Sequence, residues 1–437
     1  PMGSFSRAFI VPALVLALWL TSLSAAAEEQ PSPPLLLPAL LTEIIARNPD
    51  LAAAQSRVLA ARLAAPRAAV LDDPNLEVMT EDTPFRSESE LDPMIMYRVS
   101  QMLPFPGKRA LRRQIAEQAI EVAAREEITT SRDLVREGKR LYYALYLNRE
   151  ARRINRQNQE IIRRFVEGAT FRYKSGMDTY SEVLKAQVEF QMLENDFLML
   201  DEERVSVTAM LNALLDREPG TPVGEPIEAF SPGVEFDYEE LEQLAVAKRP
   251  ELASMRAMIV EQQLMADLAR REFYPDFMVL GLYQQGTDDM EDAWGAGVGI
   301  NLPIWIEQRQ KSEASEAGIR AAGIGRRLAG MEAMIRADIE AALARIVTAE
   351  QRIALYKESI IPSTLQTLEA IEARYRAGEE NFLLLLDTRR QFQEFELGYV
   401  RARVEREQFL ADLERAVGTE IGPPHPAPLP PGERESR

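Results

Sequence analysis

From about Arg109 to Phe171 the chain runs without a proline, and only Gly138 and Gly168 interrupt strong helix formers. At 1.5 Å per residue such a helix is roughly 95 Å long. No ordinary globular domain is that wide, so the element has to stand as a rod or as part of the wall of a tube. Leu134, Leu141, Ile154, Ile161 and Phe165 recur at or near multiples of the coiled-coil period. A second long element, about Gln308 to Arg376, carries Ile339, Leu343, Ile346, Ile353 and Ile360 at similar spacings. Pro362 should kink it locally unless a bulge absorbs the missing hydrogen bond.

These long elements belong to a duplication. Asn48-Pro49-Asp50-Leu51 opens one copy and Arg249-Pro250-Glu251-Leu252 the other. Each opening leads through an Ala-rich helix to an extended region ending at Leu103-Pro104-Phe105 or Leu302-Pro303-Ile304. The long helix follows in each copy and breaks at Tyr173-Lys174-Ser175-Gly176 or Tyr375-Arg376-Ala377-Gly378. Beyond the break, Leu184 and Phe190 match Leu386 and Phe392. The offset between copies stays nearly constant throughout, which chance similarity between helices does not produce. Two shorter helices, about Asp50–Val70 and Thr179–Leu215, together match one long helix in length and are expected to stack end to end along it. The apolar stripes are thin and alanine-rich, flanked by Arg and Glu. They fit a wall of tubes in which neighbouring subunits supply contacts, with a dimeric coiled-coil rod as the alternative.

Strand-like segments count against the rod. Phe277, Val279, Gly281 and Tyr283 alternate with Met278, Leu280 and Leu282. After the acidic turn Asp288–Asp292, Ala296, Val298, Ile300 and Leu302 take one face while Gly295, Gly297, Gly299 and Asn301 take the other. Apolar groups would then point outward and small ones inward, the period-two pattern of a membrane strand. The first copy offers Leu76–Thr80 and Ile95–Met102, joined by an acidic segment around Glu88 and Asp92. Two hairpins give four strands per chain. Four cannot close a barrel, and open strand edges are not tolerated in lipid, so closure needs several subunits.

Arg7, the apolar run Ala8–Leu20 and the Ala25-x-Ala27 arrangement form a secretory signal peptide, cut after Ala27. The chain contains no cysteine, which removes disulfides, thiolate metal sites and cysteine-linked lipid anchors together. A formal charge of −18 argues against a nucleic-acid partner. The expected organisation is a signal peptide at 1–27, an N-terminal segment at 28–47 and a first repeat at 48–215 with its strand pair at 74–103. An inter-repeat linker at 216–248, a second repeat at 249–418 with its strand pair at 276–303, and a disordered Pro-rich tail at 419–437 complete it.

The duplicated plan, the two Pro-containing openings and the Tyr-x-x-Gly turns resemble the TolC family of outer-membrane efflux proteins over about residues 38 to 418. The run Gln101–Arg109, with Leu103-Pro104-Phe105-Pro106-Gly107, resembles the branch serving heavy-metal resistance pumps. The resemblance implies a homotrimer combining two barrels, internally duplicated. Four strands per protomer would build a 12-stranded transmembrane β-barrel in outer-membrane lipid, above a long periplasmic α-helical barrel. It implies a passive export conduit, not an enzyme, needing no cofactor and no metal of its own. A periplasmic adaptor protein and an inner-membrane transporter of the resistance-nodulation-division type would be its partners. Drug or solvent efflux, type I protein secretion and a purely structural periplasmic coiled coil remain the alternatives.

On the same resemblance the turns around Tyr173 and Gly176, and around Tyr375 and Gly378, are expected to be the periplasmic tips where an adaptor docks. The gate positions of the family fall on Leu384 and Asp387, so one expected acidic position is leucine here. Glu379 and Glu380 would form an outer acidic ring. Asp387 pairing with Arg389 or Arg390, or with an arginine on another helix, and merely stabilising the wall is the competing expectation. Other features carry less. Gly295-x-Gly297-x-Gly299 lacks dinucleotide-binding spacing and runs into Pro303, and the only histidine, His425, lies in the tail. Met255, Met258 and Met265 have helical spacing that packing explains as well as metal binding.

Overall fold

The computed structural model describes residues 33–81, 94–177, 179–233, 236–286 and 291–421. The signal peptide, the acidic segment at Glu88 and Asp92, residues 287–290 and the tail with His425 lie outside the described residues.

Each copy begins with a short helix followed by a longer one. In the first, α1 (Leu37–Arg47) leads into α2 (Pro49–Ala68); in the second, α5 (Tyr238–Lys248) leads into α6 (Pro250–Arg271). Proline in the first turn starts α1, α2 and α6, where its missing N–H costs nothing. Because α1 and α5 are both 11 residues long and precede equivalent openings, the repeated unit includes them and starts upstream of 48 and 249. Strands β1 (Asn75–Glu81) and β2 (Met94–Leu103) follow in the first copy, and β3 (Asp276–Gln285) and β4 (Ala293–Asn301) in the second. The long helix α3 (Lys108–Lys174) has 67 residues and returns through α4 (Tyr180–Leu214).

The second long helix passes through Pro362 by way of a bulge. It runs as α7 (Gln310–Leu355), widens into a π-helical turn over Tyr356–Ile360, and continues as α8 (Ile361–Ala377) before returning as α9 (Phe382–Val417). The wider turn takes up the hydrogen bond that Pro362 cannot donate. It also seats Tyr356 against Gly398 of α9, where an added Cβ would lie 2.8 Å from the Tyr356 hydroxyl.

Both α2 and α4 pack along α3, while α6 and α9 pack along α7, so short helices do stack along a long one. The opening motifs are the splices. Asn48 Oδ1 accepts from the backbone N–H of Asp50 (2.9 Å) and Leu51 (3.3 Å), capping α2. Its Nδ2 donates to the Leu214 carbonyl at the end of α4, 3.0 Å away. In the second copy Arg249 Nη1 donates to the Ala416 carbonyl at the end of α9, 3.1 Å away. The return helices both end in a left-handed residue, Asp216 (φ 52°) and Gly418 (φ 81°).

Two buried clusters flank the middle of the molecule. Leu37, Leu40 and Ile44 of α1 pack on Leu141 and Tyr142 of α3 with Leu211 of α4; Leu241 and Ala245 of α5 pack on Ile335 and Ile339 of α7 with Leu413 of α9. The segment between the copies is strapped across α3 and α9. Tyr142 donates to the Ile227 carbonyl (2.7 Å) and Tyr143 to that of Ala229 (2.6 Å), while Glu407 accepts from the N–H (3.1 Å) and hydroxyl (3.0 Å) of Ser231.

Candidate channel faces and entrance

The four strands form one antiparallel sheet in the order β1-β2-β3-β4, leaving β1 and β4 as open edges. Register fixes the faces. Leu76 and Val78 on β1, Tyr97 and Val99 on β2, Phe277 and Val279 on β3, and Trp294, Val298 and Ile300 on β4 share one exposed face. Ala296 lies on that face too, opposite Gly281. Leu302 does not lie on a strand. Asn301 pairs with Asp276, and the next residue of β3's approach is Pro275, which has no N–H to offer, so pairing stops one residue short of the expected position.

The opposite face is mostly half-buried. Leu282, Leu280 and Met278 lean over Gly295, Gly297 and Gly299, such that an added Cβ at Gly295 would lie 2.8 Å from the Leu282 side chain. Because the other, exposed apolar face is the one suited to lipid, the glycine-bearing face is the inner one. Among the described residues no helix is long and apolar enough to cross a membrane, and the exposed apolar face of the sheet is the surface suited to lipid.

Sheet and helices are knotted together at the run that includes Phe105-Pro106-Gly107-Lys108. Gly107 is left-handed (φ 96°), turning the chain from β2 into α3. Lys108, only 3% exposed, donates to Asp276 Oδ1 (2.7 Å) and to the Tyr274 carbonyl (2.9 Å). Asp276 also accepts from the Phe105 N–H (2.7 Å), and the Phe105 and Tyr274 rings stack at 4.6 Å.

At the far end of the helices the two reversals are copies of each other. Gly176 N–H donates to Tyr173 and Met177 N–H to Arg172; Gly378 N–H donates to Tyr375 and Glu379 N–H to Arg374. Both glycines are left-handed, at 73° and 78°, as this helix ending requires. Each tyrosine packs on the first residue of the returning helix, Tyr173 on Tyr180 (5.3 Å) and Tyr375 on Phe382 (5.6 Å). The sequence reading missed Tyr180 and Phe382, although an aromatic seven residues after each tyrosine was there to be seen.

Just past the second reversal, α9 is two-faced. Phe382, Leu385, Leu386 and Thr388 are buried, while Leu383, Leu384 and Asp387 are exposed. Asp387 does not pair with either arginine: it accepts from Gln391 Nε2 (3.1 Å) and makes no ion pair with a described residue. Arg389 donates to Asn158 Oδ1 on α3 (2.9 Å), and burial lowers its pKa. Arg390 pairs with Glu189 on α4, whose hydrogen bond raises the arginine's pKa, the nearby Asp387 adding to the effect. Asn158 and Glu189 thus tie the second hairpin to the first, a role no spacing in the sequence revealed. Glu379 is exposed, whereas Glu380 is held by Arg374 of its own hairpin at 3.3 Å. No cluster of three or more His, Cys, Asp or Glu suited to a metal ion occurs among the described residues.

Comparison with known proteins gives concordant results. A family described as outer membrane efflux protein matches the chain twice, over residues 40–216 and 241–419. The cobalt-zinc-cadmium resistance protein CzcC of Cupriavidus metallidurans is 22% identical over 407 residues, 88% of this chain and 90% of that one. The crystal structure of CusC superposes with a TM-score of 0.76 at 16% identity, over 88% of this chain and 92% of that one. VceC from Vibrio cholerae superposes with a TM-score of 0.74 at 18% identity, over 88% and 96% respectively.

Proposed function

Because this chain belongs to the outer membrane efflux protein family, an outer-membrane channel family with no enzymes in it, we propose that three copies close into the passive exit duct of a tripartite pump for heavy-metal cations. The observation that carries the assembly is the open sheet: its exposed apolar face suits lipid, its inner face is mostly half-buried, and both edges lack partners among the described residues. Three sheets edge to edge make a twelve-stranded barrel without free edges. The exposed apolar residues along the helices, such as Leu59 and Leu63 on α2 and Leu184, Val188 and Met192 on α4, then find neighbours in the next subunit. Similarity to CzcC supports metal cations as cargo.

In this reading the two reversals at Gly176 and Gly378 are the periplasmic tips, where an adaptor would dock and link the duct to an inner-membrane transporter of the resistance-nodulation-division type. Leu384 and Asp387, exposed on α9 one turn apart, would face the axis. Three ionised Asp387 carboxylates would repel one another and attract cations, while Leu384 would narrow the aperture without charge. Glu379 remains available for an outer acidic ring; Glu380 is already committed to Arg374. The protein itself would spend no chemical energy.

Planar-bilayer recording on purified trimers tests the gate. Asp387→Asn should weaken block by divalent or trivalent cations added from the helical end, and Leu384→Ala should raise basal conductance with less effect on that block. Unchanged block in Asp387→Asn places the gate charge elsewhere, and crosslinking that yields only monomers or dimers in intact membranes defeats the trimer.

A further inference from the structure

Leucine occurs on both faces of the sheet, but the other large apolar side chains are separated by type. Every Val, Ile, Phe, Tyr and Trp of the four strands lies on the exposed face, and every methionine lies on the inner one: Met79, Met94, Met96, Met102 and Met278. Strands favour β-branched and aromatic residues, so a face that excludes them and keeps methionine is not accounted for by strand propensity. Nor does a water-filled lumen call for thioethers, since such interiors are ordinarily polar.

The methionines are also paired. Met79 sits directly opposite Met96, and Met102 directly opposite Met278. Directly opposed residues place their Cβ atoms about 5 Å apart, within reach of one ion between two sulfur atoms. Gln284 Nε2 donates to the Met94 sulfur, so that thioether is turned to the same polar space. Met278 extends over Gly299, where an added Cβ would lie 3.1 Å from its methyl group. The two pairs form two tiers roughly 20 Å apart along the strands.

Among the side chains described on this face, charge is already matched. Glu77 pairs with Arg98 (3.2 Å) and Asp276 with Lys108 (2.7 Å), so a hard divalent cation meets no unpaired carboxylate among the side chains described there. Thioethers prefer soft cations. We propose that the inner face of the sheet is a low-affinity track for soft monovalent cations, copper(I) or silver(I), with the methionine pairs as successive stations. This rests on the metal-exporting reading above and narrows its cargo. Neutral thioethers hold such ions weakly, which suits a conduit that has to release what it binds.

The test uses purified full-length trimers in chloride-free buffer, dialysed against silver(I) nitrate or zinc(II) nitrate, with bound metal measured directly. A variant combining Met79→Leu, Met96→Leu, Met102→Leu and Met278→Leu keeps side-chain volume, and its trimer yield verifies the fold. Wild type should retain silver(I), the variant should lose that retention, and zinc(II) should bind both equally and less. Equal silver(I) retention in the two proteins, or none in wild type, overturns the proposal. Potassium conductance of the same trimers in bilayers is a separate readout: its absence would sink the channel reading, while its presence without silver(I) binding sinks only the methionine track.

Discussion

Asp216 and Gly418 end the two return helices at equivalent places, both left-handed, yet only one is glycine. The difference lies in what each faces. A Cβ at Gly418 would come within 2.8 Å of the Arg249 Cα, so the splice in the second copy leaves no room for a side chain. Gly418→Ala adds this backbone clash to a left-handed penalty of about 1–2 kcal/mol and should lower the thermal dissociation temperature of trimers clearly. Asp216→Gly should stay within about 1 kcal/mol of neutral, because relief of strain is offset by the greater freedom of an unfolded glycine. A second residue-scale effect concerns Glu407. Burial pushes its carboxyl above the ordinary value of 4.5, against the pull of Arg406, Ser231 and Tyr143, while Arg406 also faces Glu350. The folded protein therefore holds a proton that the unfolded chain releases. The associated stability is fully present below the unfolded value and is lost as pH rises through the folded one. Glu407→Gln should flatten that part of the stability profile when unfolding is followed over about pH 4 to 8; an unchanged slope would mean another group carries it.

Between elements, the junction of sheet and helix makes the strongest claim. Among the described residues Asp276 is the only ion-pair partner of buried Lys108, so Asp276→Ala strands a cation and should cost about 3–5 kcal/mol. Adding Lys108→Met should restore most of the loss, read as the heat resistance of trimers; no recovery would mean the Phe105 and Tyr274 contacts matter more. Elements of this kind were legible in the sequence where periodicity or proline marks them. The proline-free run gave α3 within a few residues, and alternation around Val298 gave β4. The splices were visible only as motifs: Asn48-Pro49 and Arg249-Pro250 were noticed, but their donation to the ends of α4 and α9 depends on which helix ends meet in space. Pro362 shows the same limit. Its sequence permits a kink or a bulge, and the Tyr356 seat on Gly398 favours the bulge. At the entrance, Leu384 and Asp387 could be located by counting from Gly378. Asn158 and Glu189 could not, because each is an ordinary polar residue on a long helix until α9 is laid against it.

For the whole molecule, the two reversals are the natural place to test docking. At Gly176 and Gly378 an added Cβ meets nothing within 4 Å, so only the left-handed backbone opposes substitution. Asparagine tolerates that conformation, which makes Gly176→Asn and Gly378→Asn the conservative variants and Gly176→Arg and Gly378→Arg the disruptive ones. The arginine variants should abolish efflux in cells at unchanged trimer yield, and the asparagine variants should largely keep it; efflux intact in both arginine variants would remove the tips from the interface. The sheet order carries one more consequence. β2 meets β3 where the two copies join, in the same antiparallel sense that β4 must meet the next subunit's β1. A ring of three such chains is therefore sixfold in its strand pairing, with every second joint made covalent by the segment between the copies. Fusing the halves reduces the number of bodies that have to be gathered, and with it the translational entropy lost on assembly. It also frees equivalent positions to diverge: Asp216 stands where its counterpart is Gly418, a difference that a ring of six identical halves could not encode.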